Sequence, residues 1–171
     1  MNVADLLVEG FSRVQGTVHA VVEGLTADRL GARPDDEANS IAWLVWHLTR
    51  VQDDHVADVA GTEQVWTGQD WLSRFGLPFP AGDTGYGHRP ADVAAVRVDE
   101  PDLLTGYYDA VHEQTVRFVT GLDAEALDRI VDKAWDPPVS LGVRLISVLD
   151  DDIQHAGQAM YVRGLLERQS S

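Results

Sequence analysis

Apolar residues recur at steps of three and four through the first part of the chain. Leu7, Phe11, Val14, Val18, Val21 and Leu25 share one helical face, which predicts an amphipathic helix over roughly residues 3–24. The stretch 25–37, broken by Gly31 and Pro34, reads as a connection. Asn39 or Ser40 offers an N-cap for a second helix running to about Ala60, and Gly61 supplies its stop. Residues 62–98 lose this rhythm. Gly68, Gly76, Pro78, Pro80, Gly82, Gly85, Gly87 and Pro90 leave room for one or two turns within 63–75 and for no long element. A connection this long inside a compact domain is usually functional or mobile. Periodicity returns at Pro101 and predicts a third helix to Gly121, with Asp99 or Glu100 near its cap and Pro101 in its first turn. A short helix is expected over 123–130, and Pro137-Pro138 ends that region. Ser140 caps a fourth helix reaching about Glu167, whose core stripe is read as Leu145, Val148, Leu149, Ile153, Ala156 and Met160. Four long helices and no convincing strand pair predict an all-α four-helix bundle with a long irregular connection between helices two and three. Residues 1–171 are expected to form one domain.

Composition narrows the function classes. With 171 residues, 44% of them apolar, the chain can bury a substantial core. A formal charge of −15 argues against nucleic acid and anionic membranes, which demand basic surfaces. No apolar run is long enough to span a bilayer, and the N-terminus lacks the features of a signal peptide, so a cytoplasmic protein is expected. The absence of cysteine excludes disulfides, thiolate metal ligands and a cysteine nucleophile. A homodimer through the outer helix faces suits such a fold, although no seam stands out.

The chemistry-bearing residues concentrate on helices two and four. In Asp151-Asp-Ile-Gln-His155-Ala-Gly-Gln158 an acid and an imidazole lie four residues apart, hence on one helical face. His47 sits beside the inward face marked by Leu44, Leu48 and Val51. Two histidines and a carboxylate are the donor set of a divalent metal site with open positions. Asp54, one heptad after His47, is a candidate acceptor orienting its ring, and His55 is placed to point inward. Asp152 lies within the core stripe by phase, which is costly for a charge unless it is paired or metal-bound. Ordinary explanations compete with each of these. A single histidine on a partly apolar face is more often a core or boundary residue, and Asp150-Asp151-Asp152 reads equally as a solvated acidic patch. Trp43 and Trp46 flank His47 and either wall a pocket or simply pack. Trp66 and Trp71 are placed to cover one end of the bundle. The segment from Gly82 through Tyr86 and His88 to Arg89 suits a lid or a plain surface loop. Arg163 suits a substrate contact or a helix C-terminus. His19 and His112 are read as surface or boundary residues. Spacing alone leaves the site open.

Taken together, Ser40-Ile-Ala-Trp-Leu-Val-Trp-His47-Leu, Asp53-Asp54-His55, Asp83-Thr-Gly-Tyr-Gly-His88 and the Asp151–Gln158 segment followed by Arg163-Gly resemble the DinB-like superfamily. The resemblance spans nearly the whole chain and is nearest to the actinobacterial branch of the mycothiol-dependent maleylpyruvate isomerase metal-binding domain and the mycothiol S-transferases. It implies an up-down-down-up four-helix bundle and a divalent ion, often zinc or nickel. By position, His47 and His155 are the histidine ligands. The remaining ligand, commonly histidine or glutamate, falls on Asp151, whose side chain is one methylene shorter than glutamate; Asp152 is the neighbouring alternative. The resemblance further implies a low-molecular-weight thiol cosubstrate such as mycothiol, used as a metal-bound thiolate for S-transfer to, or isomerisation of, a small electrophile. A metal-dependent hydrolase and a non-catalytic metal-binding scaffold remain the competing readings. The same donor set also occurs in non-haem iron oxygenases, usually on β-structure.

Overall fold

A computed structural model describes residues 1–169. Helix α1 spans Val3–Val22. Its start is fixed by a reciprocal cap: Asn2 Oδ1 accepts from the Asp5 amide at 2.8 Å, and the Asp5 carboxylate accepts from the Asn2 amide at 3.0 Å. Leu7, Phe11, Val14, Val18 and Val21 are buried as the periodicity requires. The connection that follows is not bare, because it holds a short helix, α2 (Ala27–Gly31), which buries Leu30.

Helix α3 covers Ile41–Ala60. Ser40 Oγ caps the Trp43 amide at 3.1 Å, and Gly61 ends the helix at φ 67°, a left-handed conformation that a residue without Cβ adopts freely. Every residue from Ile41 to Arg50 is buried, so this helix is enclosed on all sides over its first half. The long connection folds into α4 (Val65–Gly68), α5 (Trp71–Phe75) and α6 (Pro90–Ala95) before α7 (Pro101–Val119). It is anchored from below by one buried network. The Asp53 carboxylate accepts from the amides of Val65 and Trp66 and from the Tyr107 hydroxyl, each at 2.8 Å. Fully buried Arg50 donates to the carbonyls of Asp83 (3.1 Å) and Ala81 (3.4 Å) and to Tyr107 (3.2 Å). Trp66, Trp71, Phe75 and Tyr107 pack ring against ring over this network.

Two expectations need correction after α7. The expected short helix is a single 3-10 turn, Ala126–Asp128, and a two-stranded antiparallel ribbon follows it: β1 (Ile130–Asp132) paired with β2 (Val139–Ser140). Strands this short carry no readable alternation. Helix α8 then runs over Leu141–Gln169. Its buried face is Leu141, Leu145, Val148, Asp152, Ala156, Ala159, Val162 and Leu166. Ile153 and Met160, assigned to the core from their apolarity, are 54% and 42% exposed. Asp152 holds the inward position beside Ile153, and the smaller Ala159 holds the one beside Met160.

The four long helices pack so that α1 and α3 each lie against both α7 and α8. Gly10 of α1 abuts Leu149 of α8, and the carbonyls of Ala20, Val21 and Glu23 accept from Arg163 further along, so α1 and α8 run the same way. His47 lies beside His155 while His55 lies beside Arg144, so α3 runs against α8. Among the described residues no helix is long and apolar enough to cross a membrane.

Candidate metal centre

Helices α3 and α8 bring His47, Asp151 and His155 together, each offering a donor atom within 4.8 Å of the others. The imidazoles meet edge to face with ring centres 4.7 Å apart. What each ring presents is decided by its other nitrogen. His47 Nδ1 is hydrogen-bonded to the Thr84 carbonyl, and His155 Nδ1 to the Asp151 carbonyl at 2.9 Å. A carbonyl only accepts, so both Nδ1 atoms carry the proton and both Nε2 atoms keep a lone pair. Asp151 Oδ2 lies 3.3 Å from His155 Nδ1, yet it is closed off from solvent and makes no hydrogen bond. Two imidazole lone pairs beside a buried, unsatisfied carboxylate oxygen fit a divalent cation by donor type.

Burial holds His47 below the ordinary histidine range, with the His155 ring adding to the effect against the Thr84 hydrogen bond. Burial also acts on Asp151 and His155, but there the pair wins: the adjacent His155 ring draws Asp151 down, and Asp151 draws His155 up. Asp152 is different. It is fully buried with neither oxygen hydrogen-bonded, and burial, reinforced by the Asp151 charge, pushes it well above the carboxylate range. It faces the core near Tyr108 of α7.

A loop and two indoles hold the histidines. Trp43 stacks on His47 with ring centres 4.6 Å apart and planes 14° from parallel. Its Nε1 donates to His88 Nδ1 at 3.1 Å, which leaves the His88 proton on Nε2, directed at Asp83. Trp46 stacks on His88. Asp83 also accepts from the Gly85 amide at 2.7 Å, and these hydrogen bonds, with the His88 charge, outweigh burial and lower its pKa. Gly85 sits at φ +90°, where an added Cβ would fall 2.8 Å from His47 Nδ1 and 3.0 Å from Trp46. The 83–88 loop therefore closes onto His47 only because Gly85 has no side chain.

A half-open pocket of 560 Å³ lies against His47 and Asp151. Its walls include His55, Thr84 and Tyr86, then Asp132, Trp135 and Val139 from the ribbon and its turn, and Val143, Arg144 and Ser147 from α8. His55 Nδ1 accepts from Arg144 at 3.2 Å; burial, then the nearby guanidinium, lowers its pKa. The ribbon residues were not legible as site residues, because nothing local marks a turn as the wall of a distant pocket. The Thr84 contact is main-chain and leaves no trace in residue type.

Several candidate residues stand elsewhere than expected. Asp54 does not reach His47; it accepts from Gln64 Nε2 at 2.7 Å, and the Thr84 carbonyl takes the orienting role. Arg163 is spent on the carbonyls that end α1, at 2.8, 3.1 and 2.9 Å, and on Glu167, so it is a helix-terminus residue. His112, read as a surface or boundary residue, is buried at 9% exposure with Nδ1 unpaired. Trp66 and Trp71 do cover the core, packed beside Tyr107.

The mycothiol-S-transferase family model matches residues 6–168. A crystal structure of a conserved protein from Enterococcus faecalis superposes with a TM-score of 0.90, covering 96% of this chain and 97% of that one at 32% identity. No curated protein matches the sequence. The family match extends from α1 to the end of α8 and takes in both halves of the histidine–aspartate cluster, and the chain belongs to the mycothiol-S-transferase family.

Proposed function

We propose that this chain is a metal-dependent transferase in which His47, Asp151 and His155 hold a zinc or nickel ion, and which joins a small electrophile to a low-molecular-weight thiol such as mycothiol. Residues 1–171 act as one domain, with α1, α3, α7 and α8 as an up-down-down-up four-helix bundle. The observation that carries the reading is the convergence of two imidazoles and an unsatisfied carboxylate oxygen, with His47 and Asp151 lining a pocket. A divalent cation held there favours the thiolate over the thiol of an incoming cosubstrate.

The chain's own residues supply the rest. The carbonyls of Thr84 and Asp151 keep the protons on Nδ1 of the two histidines, and the Trp43 ring keeps water from one face of His47. With no cysteine in the chain, the reacting sulfur has to come from a cosubstrate. Its proton passes to solvent through the open side of the pocket. The sulfur then forms a bond to the electrophilic carbon as the leaving group departs with its bonding electrons.

The test is to measure metal content and mycothiol–bromobimane conjugation for wild type, His47→Ala and His155→Ala. Each variant is expected to lose stoichiometric metal, keep its helical circular dichroism and lose at least about 100-fold in rate, beyond the 10–100-fold typical of residues that only support a ligand. Stoichiometric metal in both variants would overturn the site.

A further inference from the structure

The pocket beside the histidine–aspartate cluster carries two large aromatic side chains that the fold does not use. Trp135 is 68% exposed and Tyr86 is 93% exposed, yet both line the same cavity as His47 and Asp151. Val143, 54% exposed, and half-buried Val139 extend this apolar wall. Exposed aromatic surface concentrated at a cavity marks a binding site more often than a packing remnant.

Both rings sit on anchored segments. Tyr86 lies between Gly85 and Gly87, both at positive φ, in the loop fixed by Arg50 and Asp83. Trp135 lies on the turn of the β1–β2 ribbon, whose Asp132 is ion-paired with Arg144 at 3.4 Å. An aromatic ring held on a fixed segment offers contact area at small entropic cost.

The polar groups of the pocket decide what fits. His47 is engaged with Thr84, His55 with Arg144, and Ser147 with the Val143 carbonyl at 2.9 Å. The donors that remain on the pocket walls, such as the Thr84 and Tyr86 hydroxyls and Trp135 Nε1, are neutral. Arg144 is the one cation among the lining residues, and the carboxylates of Asp132 and Asp58 already match it, each at 3.4 Å. An anionic substituent entering here would meet no unmatched cation of the chain.

We propose that Trp135 and Tyr86 are the specificity-determining walls for the electrophile, and that its class is an uncharged, planar, apolar molecule such as an activated aromatic ring. Assigning the site to the electrophile rests on the thiol-transfer reading; the binding chemistry stands apart from it. The test is calorimetric titration, without thiol, of two unreactive probes that differ by one carboxylate: 1,3-dinitrobenzene and 3,5-dinitrobenzoate. Wild type is expected to bind the neutral probe saturably and the carboxylate at least about tenfold more weakly. Trp135→Ala should weaken the neutral probe about tenfold, while Trp135→Phe stays within about threefold because ring contact survives. Equal binding of the neutral probe by Trp135→Ala, or a carboxylate probe bound as tightly as the neutral one, overturns the proposal. Zinc and nickel content measured on the same samples separates the two claims. A wild type that holds neither metal yet shows Trp135-dependent binding sinks the metal reading and supports the aromatic site.

Discussion

His47 and His155 become useful through main-chain oxygens. The Thr84 and Asp151 carbonyls choose the tautomer of each ring, and the lone pairs that remain share one space. Gly85 is the residue that lets the loop come this close. Gly85→Ala places a Cβ 2.8 Å from His47 Nδ1 at a φ of +90°, and is expected to cost about 1–3 kcal/mol in stability and to weaken zinc binding. Urea unfolding and competition with a chelator measure the two effects. His112 makes a second residue-scale prediction. Burial lowers its pKa from 6.5, against a small opposing pull from Asp109. Below pH 6.5 the unfolded chain therefore takes up a proton that the folded chain refuses, and stability falls as pH drops through that window. His112→Gln is expected to lose less stability than wild type between pH 7.5 and 5.5 in denaturant titrations. An identical fall in both proteins would show that His112 plays no part.

At the scale of elements, α3 organises the molecule. Its Asp53 accepts from the first amides of α4, and its Arg50 donates to the carbonyls of Ala81 and Asp83, so one helix turn fixes the start and the middle of the long connection. Breaking a buried charged network by removing one partner is costly because the other is stranded. Asp53→Asn and Arg50→Met are each expected to cost about 3–5 kcal/mol, and the double variant less than their sum. Additive losses across that cycle would mean the two side chains act independently. The elements legible in the sequence are those with local causes. Ser40 and Gly61 bound α3, and Pro101 opens α7, because caps and proline act within one turn. The turns expected within 63–75 are there as α4 and α5, but α2, α6 and the β1–β2 ribbon leave no local signal because they exist only against partners, as when the Leu141 amide pairs with the Arg129 carbonyl at 2.8 Å. On α8, phase places Asp152 inward, as found, while apolarity alone wrongly adds Ile153 beside it. Periodicity assumes that the core takes apolar side chains, and Asp152 violates that assumption.

For the whole molecule, a cation joining α3 to α8 would tie together two helices that otherwise meet by packing and through the contacts of Arg144 with His55 and Asp58. Ligand binding to the folded state alone adds about 2.7 kcal/mol when free ligand is 100 times its dissociation constant. Wild type is therefore expected to melt higher with added zinc and lower with EDTA, while His47→Ala responds to neither. A wild-type melt indifferent to both would argue that the cluster holds no ion. The sequence by itself determined the number and extent of the long helices and the absence of a cysteine nucleophile, because phase, caps and composition are local properties; the family resemblance, not spacing, singles out His47, Asp151 and His155. Only the tertiary structure decided that Thr84 rather than Asp54 orients His47, that Arg163 closes α1, and that Trp135 and Arg144 wall the pocket. Those roles depend on which atoms meet across 37 to 143 positions of chain, a distance over which local pattern carries no information.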